Sequence, residues 1–412
     1  MKSPTDITQS QKVGPRLITG SNPLPVTWRL AGFYGAAFLT VGVFGPFWPK
    51  WLQARGLGPE EIGLVLALST TAKVIGSPLF AHLSDRLGTR RRVMIGLSLA
   101  ALAAFVFYSS ADSLWTLSLG AVLVGLTFPA MLPLGENVTL LAARLRGFDY
   151  GRVRLWGSIT FIVSAWGGGV WIERMGVENI PWLVIGAATV VVVACLLMPD
   201  VRVTHARGSR AFRGLLSNRL FLLFMAAAAL IQCSHAVYYG FSTLHWSAAG
   251  ISDSTIGLLW AEGVVAEIVL FAFAGRVVQR VGIGPLLWIA AVAGVLRWGV
   301  TGATTDLAAL VLVQALHAAT FGATHLASMH FIQRAVPESI SATAQGLYSA
   351  VVMGVILAVV MSGSGALYAL STGGAFYAMA AMCAAGGLCA VLLGRAWDGG
   401  ELRLGKAGQA PA

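Results

Sequence analysis

The chain has 412 residues, 57% hydrophobic and only 11% charged, with 49 glycines and a mean hydropathy of +0.76. Soluble domains carry roughly 25% charged and about 45–50% apolar residues, so an ordinary soluble enzyme of two or three domains is excluded. The glycines lack a three-residue period, which excludes a collagenous chain. A polytopic membrane protein remains, and the net charge of +11 has to be read from where the cations fall.

The first 27 residues are polar, with Lys2, Lys12 and Arg16 and no short apolar core before a cleavage site. They read as a cytoplasmic tail, not a signal peptide. Apolar runs long enough to span, about 20 residues, then follow at 30–52, 61–83, 92–110, 114–142, 152–173, 181–198, 219–246, 254–277, 284–303, 306–333, 341–367 and 374–394. Twelve helices are predicted. Many carry Gly, Ala, Ser and Thr, which let membrane helices approach closely. Pro129 and Pro133 predict a kink in the fourth helix. Cys195, Cys233, Cys383 and Cys389 all lie in apolar runs without metal-ligand spacing and read as buried small hydrophobes.

The cations alternate between connections. Arg86, Arg90, Arg91 and Arg92 follow helix 2, Arg144 and Arg146 follow helix 4, and Arg202, Arg207, Arg210 and Arg213 follow helix 6. Arg276 and Arg280 close helix 8, Arg334 closes helix 10, and Arg395, Arg403 and Lys406 follow helix 12. The opposite connections carry Glu60, Glu61, Asp112, Glu173, Glu178, Asp253 and Asp306. This positive-inside pattern puts both termini in the cytoplasm. The charge excess is then topological, and a nucleic-acid partner is not expected.

An internal repeat divides the chain. FGPFWPKWLQARGLGPEEIGL (44–64) aligns with YGFSTLHWSAAGISDSTIGL (239–258), taking Gly45 to Gly240 and Trp51 to Trp246 at an offset of 195. After one deletion the offset becomes 194, taking Gly63 to Gly257, Arg86 to Arg280, Gly88 to Gly282 and Asp112 to Asp306. Parallel six-helix repeats imply an all-α membrane fold in two halves. The expected organisation is a tail (1–27), a six-helix bundle (28–198), a cytoplasmic linker (199–218), a second six-helix bundle (219–394) and a C-terminal tail (395–412).

Ionisable residues inside spans cost on the order of 2.5–3.5 kcal/mol each at a helix centre, so they should face a cavity or a partner. They are Lys73, Glu136, Arg152, Arg154, Glu262, Glu267, Arg297, His235, His317, His325 and His330. Snorkelling to an interface is the alternative for those near helix ends, namely Arg152, Arg154 and His330, but not for Lys73, Glu267 and His317, which lie near mid-span. Glu136 and Arg154 are 18 residues apart across a hairpin, and Arg297 and His317 are 20 apart, so each pair sits at similar depth. Lys73 maps onto Glu267 through the repeat, which suggests an ion pair across a central cavity or a structural pair that neutralises two buried charges. His235, Tyr238, Tyr239 and Ser242 share one face of helix 7, and His317, Thr320, Thr324 and Ser328 form a stripe on helix 10, with His325 nearby. Either stripe is a cavity lining or helix–helix glue. A histidine there suits proton relay. No ligand set for a metal and no phosphate-binding loop is present, so no cofactor is expected.

The loop AHLSDRLGTRRR (81–92) resembles the signature of the major facilitator superfamily, G-x-x-x-D-R-x-G-R-R. Asp85, Arg86, Gly88, Arg90 and Arg91 fit it, while Ala81 replaces the first glycine and Thr89 displaces the basic pair by one. The implied role is a cytoplasmic gate. Gln279 stands where Asp85 falls in the second half. DYGRVRLWGS (149–158), HAVYYGFSTLHW (235–246), GVVAE (263–267) and LRWGVTGATT (296–305) resemble the 3-phenylpropionate permeases of that superfamily, over about 31–395. The framework is also similar to lactose permease and to nucleoside/proton symporters.

The resemblance to lactose permease implies substrate contacts at Glu136 and Arg154 and a coupling role for Arg297 and His317. Its proton-carrying glutamate is replaced here by Thr320 and its helix 10 lysine by Gln314, so Glu267 is the substitute proton carrier, helped by His317 or His325. Counting Lys73, Arg154 and Arg297 against Glu136 and Glu267 leaves one spare cation, or none where Glu262 also faces inward; a spare cation with aromatic neighbours suits an aromatic carboxylate. Lys73 or Arg154 is expected to take the carboxylate, with His235, Tyr238 and Tyr239 in the substrate site. The expected protein is a monomeric, multi-pass transporter of the bacterial inner membrane. It is not an enzyme. It imports a small aromatic carboxylate such as 3-phenylpropionate with protons by alternating access. A nucleoside or sugar/proton symporter, or an efflux transporter of the same fold, is the alternative.

Overall fold

A computed structural model of the chain describes residues 16–18, 24–202 and 212–402. Twelve helices in it are long and apolar enough to cross a membrane. The first six are α1 (Val26–Ala54), α2 (Pro59–Leu87), α3 (Arg90–Ser109), α4 (Leu114–Arg146), α5 (Tyr150–Met175) and α6 (Val177–Leu197). The second six are α7 (Arg219–Ala248), α8 (Asp253–Ala272), α9 (Ile283–Ala303), α10 (Leu307–Ala335), α11 (Glu338–Leu370) and α12 (Thr372–Ala396). Number and order agree with the apolar runs. Polar side chains fix where the spans begin. Thr89, Ser113, Asp149, Asn218, Ser252, Asp306 and Ser371 each accept a hydrogen bond from a first-turn N–H, satisfying donors that the helix itself cannot.

Several spans are irregular. α4 is interrupted at 128–130, around Pro129, between Leu114–Thr127 and Met131–Arg146. α7 loosens at Ser234 and His235. α8 ends at Ala272, and a separate helix, Ala274–Val281, follows, so the span predicted through 277 is broken at Phe273. α10 and α11 contain π-helical segments, Ala318–Ala323 and Val351–Ile356.

The one regular element that is not helical, among the described residues, is a ribbon in which Arg16–Ile18 pairs antiparallel with Asp200–Arg202. It joins a piece of the expected tail to the start of the expected linker. Residues 1–15, 19–23, 203–211 and 403–412 lie outside the described residues.

Within the first six helices α1 packs on α5 and α6, α2 on α4, and α3 on α6. Within the second six α12 packs on α9 and α7, and α7 on α11. The two sets meet along α5–α8, α2–α11 and α1–α7. An even number of spans brings both chain ends to one face, here termed terminal, with the distal face opposite. At the distal face the backbones touch. A Cβ on Gly169 would lie 2.1 Å from the Asp253 carbonyl oxygen, and one on Gly365 2.2 Å from that of Pro59. Lys50 Nζ donates to Ser247 Oγ (2.7 Å) and pairs with Asp253 across the same seam, where Glu173 Oε1 accepts from the Ser254 N–H at 2.7 Å. At the terminal face Met131–Arg146, Ala274–Val281 and Glu338–Ala350 pack chiefly within their own set of six.

The signature loop lies at the terminal face. Gly88 closes α2 at φ +64°, a left-handed conformation that favours glycine. Arg90 pairs with Asp85 at 3.6 Å, Arg91 donates to the Leu196 carbonyl oxygen, and Thr89 Oγ1 donates to the Asp200 carboxylate at 2.9 Å. These bonds tie the loop to the exit of α6. Among the described residues, no hydrogen bond or ion pair of Asp85, Arg86, Arg90 or Arg91 crosses to the second six helices. The gate expected of these residues is therefore not engaged between the halves in this conformation.

Candidate functional site

A cavity of about 450 Å³ lies between the two sets of helices. α1 contributes Phe38, Val41 and Gly45, and α5 contributes Arg154, Ser158 and Phe161. Tyr238 and Tyr239 come from α7, Trp260, Val264, Glu267, Ile268 and Phe271 from α8, and His317 and Phe321 from α10. Most of this wall is apolar or aromatic. Its charged groups are one arginine and one glutamate.

Arg154 sits where the first turns of α5 cross α1. Its guanidinium carbon lies 4.2 Å from the Phe38 ring centre and 5.3 Å from that of Tyr34, both within cation–π range. Its Nε is 4.0 Å from Glu136 Oε1. The hairpin spacing thus brings this pair together, at the outer limit of an ion pair.

Arg297 is fully buried behind the cavity wall. Nε and Nη2 both donate to Gln314 Oε1 (3.2 and 2.8 Å), and Nη1 lies 3.0 Å from His317 Nδ1 and 3.0 Å from Thr320 Oγ1. The guanidinium also sits 4.7 Å from the Tyr238 ring and 4.4 Å from the Trp298 ring.

Guanidinium nitrogens only donate, so this arrangement assigns the histidine tautomers. His317 Nδ1 must accept, which leaves the proton on Nε2, and Nε2 faces Glu267 Oε2 at 3.9 Å. His235 Nδ1 must donate to the Gln232 carbonyl oxygen (3.0 Å), so its Nε2 accepts from Thr320 Oγ1 at 3.1 Å. Donors therefore point from Arg297 to His317 and from His317 towards the one carboxylate on the cavity wall, across a last gap of 3.9 Å that is longer than a hydrogen bond.

The aromatic side of the wall is ordered by the same helices. Tyr238 and Trp260 pack at 4.3 Å between ring centres, and Trp260 Nε1 donates to Thr243 Oγ1 at 3.2 Å. Phe321 lies parallel to His317 at 5.4 Å. Gln314 Nε2 donates to Tyr238 Oη at 3.3 Å, linking the arginine network to the aromatic wall.

Some expected residues fall elsewhere. Lys73 has no hydrogen bond or ion pair among the described residues and does not line the cavity, and Glu267 faces His317 instead. The Lys73–Glu267 pairing is not formed. His235 is buried behind the wall, and His325 does not join the network. Thr324 and Ser328 donate to carbonyls of their own helix, at Thr320 and Thr324, so that part of the α10 stripe serves the helix. The sequence reading assigned no role to Gln314, Trp260, Phe38 or Gly45. The one signal at Gln314 is that it stands where lactose permease has a lysine.

A model of the MFS_1 like family matches residues 27–379. The "Probable 3-phenylpropionic acid transporter" of Escherichia coli (strain K12) is 36% identical over 362 residues, covering 86% of this chain and 94% of that protein. The maltose permease of Geobacillus stearothermophilus is 26% identical over 332 residues, covering 77% and 82%. Among solved structures the nucleoside transporter NupG superposes with a TM-score of 0.79 at 15% identity, covering 91% of this chain and 100% of that chain.

Proposed function

The chain belongs to the MFS_1-like family of the major facilitator superfamily, and on that premise we propose a proton-coupled symporter that imports a small aromatic carboxylate, with 3-phenylpropionate as its type substrate. A multi-pass, non-enzymatic secondary transporter follows from the family and its fold. Substrate, coupling and direction are the proposal.

The observation that carries it is the segregated cavity, in which a single arginine stands at one end of a wall that is otherwise mostly aromatic and aliphatic. Sugars and nucleosides need many hydrogen-bonding partners, whereas an aryl acid needs one cation and ring surface. Arg154 lines the cavity and Lys73 does not, so Arg154 is the better partner for the carboxylate, with Glu136 as its counterion when the site is empty. Tyr238, Tyr239, Trp260 and Phe38 supply the ring surface. His235 supports this wall from behind.

Glu267 is the proton carrier of this reading, because it is the one carboxylate on the cavity wall. His317 cannot take a proton on Nδ1 without displacing Arg297, so it serves as a donor fixed towards Glu267. Positive-inside topology makes the terminal face cytoplasmic. The distal seam at Lys50–Asp253 then closes the outer side, and this conformation is the inward-open member of an alternating-access cycle.

Uptake of labelled 3-phenylpropionate by proteoliposomes, under an inside-alkaline gradient, tests the reading. Accumulation is expected, abolished by protonophore and inhibited by other aryl acids, while 3-phenylpropanol competes poorly. Arg154→Gln loses a charge-assisted contact of about 1.5–3 kcal/mol, roughly tenfold to a hundredfold in affinity. Equal competition by the alcohol removes the carboxylate contact. Inhibition by uridine or maltose but not by aryl acids favours the nucleoside or sugar alternative.

A further inference from the structure

Gly45 in α1 and Gly240 in α7 are equivalent through the repeat, yet the space over them differs. A Cβ on Gly240 would lie 3.3 Å from Leu66 Cδ1 and 3.7 Å from Met361 Sδ. A Cβ on Gly45 would meet nothing within 4 Å, and Gly45 lines the central cavity. The residue equivalent to Leu66, at the offset that takes Gly63 to Gly257, is Trp260. Leu66 fills the space over its glycine. Trp260 leaves the space over Gly45 open, because it packs against Tyr238 and its indole N–H is held by Thr243.

Gly45 precedes Pro46 inside α1, and a proline ring crowds a Cβ on the residue before it in helical backbone, so glycine eases the helix here. Gly45 is inside α1, has no positive φ and touches no neighbouring helix. Besides easing the step into Pro46, the missing side chain leaves volume open to the cavity, since a Cβ there would meet nothing within 4 Å. Gly45 shares a helix face with Val41 and Phe38, at spacings of four and seven residues. Seven residues are about 10 Å of helix, and Phe38 is where the Arg154 guanidinium rests. The cavity therefore has a cationic end and, about two helical turns along α1, an open notch over Gly45 in a wall that elsewhere carries Tyr238, Trp260 and Phe161.

We propose that the notch over Gly45 receives the aryl ring of the substrate, and that the side chain at position 45 sets the largest ring accepted. This rests on the aromatic-carboxylate reading above. Binding to purified protein is measured for Gly45→Ala, Gly45→Val and Gly45→Leu with three acids, namely hexanoate, 3-phenylpropionate and 3-(2-naphthyl)propionate.

The expected result is graded. Gly45→Ala loses naphthylpropionate at least tenfold and retains phenylpropionate. Gly45→Leu loses both, and hexanoate binding stays unchanged throughout. Equal weakening of all three acids, or no change, overturns the proposal.

A second arm needs no knowledge of the substrate. Of the native cysteines, Cys195, Cys233 and Cys383 are buried and Cys389 is partly exposed. In a Cys389→Ser background, Gly45→Cys should react with benzyl methanethiosulfonate and Gly240→Cys should not. Absence of reaction at position 45 removes the notch itself. Reaction at 45, with no aryl acid bound by the wild-type protein, removes the substrate reading and the ring assignment with it, and leaves the notch standing.

Discussion

Arg297 shows how a buried charge is held here without a carboxylate in direct contact. Its donors go to Gln314 Oε1, His317 Nδ1, Thr320 Oγ1 and, at 3.4 Å, His235 Nε2, all neutral acceptors, and two aromatic rings cover its faces. Gln314 carries two of these bonds, and its own amide donates to Tyr238 and to the Leu259 carbonyl oxygen. Gln314→Leu leaves a desolvated guanidinium short of acceptors, a loss of about 1.5–3 kcal/mol for each charge-assisted hydrogen bond removed. The purified variant should melt well below wild type, whereas Gln314→Glu keeps the acceptor for Arg297, loses the donor to the Leu259 carbonyl oxygen and recovers only part of the melting temperature. An unchanged melting point for Gln314→Leu contradicts this role. Spacing alone made Glu136–Arg154 and Arg297–His317 legible, since a short hairpin fixes relative depth. It failed for Lys73 and Glu267, because the repeat equates positions along helices but does not say which way a given side chain turns within the bundle. Gln314 and Gly45 were illegible for a different reason. One acts through a neutral amide and the other through the lack of a side chain, and charge counting detects neither.

At the scale of elements, the irregular helices cluster in the second half and exchange bonds. The Phe321 carbonyl, in the π segment of α10, accepts from Gln232, and the Val352 carbonyl, in that of α11, accepts from Cys233. Both donors stand just before α7 loosens at Ser234. π segments concentrate at functional sites in helices, and one of these begins directly after His317. Nothing in the apolar pattern announced them, because a π turn changes hydrogen-bond register without changing composition. The break in α4 was legible, since Pro129 has no N–H to continue the ladder. The distal seam is built on backbone contact between α5 and α8. Gly169→Leu would place a side chain against the Asp253 carbonyl and force the two helices apart there. Ligand binding should survive while uptake falls. A Val264→Cys reporter in the cavity, in a Cys389→Ser background, should react severalfold faster with an impermeant maleimide added from the distal side. An unaltered labelling rate shows that the seam does not depend on this contact.

For the whole molecule, the proposed coupling reduces to a comparison of charge states. In the empty site Arg154 and Glu136 balance, and Arg297 and ionised Glu267 balance through His317. An aryl carboxylate alone adds one uncompensated negative charge to a cavity between low-dielectric walls, where an unpaired charge is costly. One proton on Glu267 cancels it. The empty and doubly loaded states then carry the same charge, and only the singly loaded states differ from them. Any other fixed charge, Lys73 included, changes every total equally and leaves that equality intact. Reorientation through an occluded state therefore favours the empty and doubly loaded forms, which is tight one-to-one coupling. Two consequences separate this scheme from simple facilitation. Uptake should be electroneutral, driven by an inside-alkaline gradient and insensitive to a membrane potential imposed by potassium and valinomycin. Glu267→Gln fixes the neutral state, so the substrate-loaded carrier keeps the charge of the doubly loaded wild type and still crosses. Counterflow exchange should persist near wild-type rate while accumulation against a gradient disappears. Uphill accumulation by Glu267→Gln, or uptake driven by potential alone, would assign the proton to another group or change the stoichiometry.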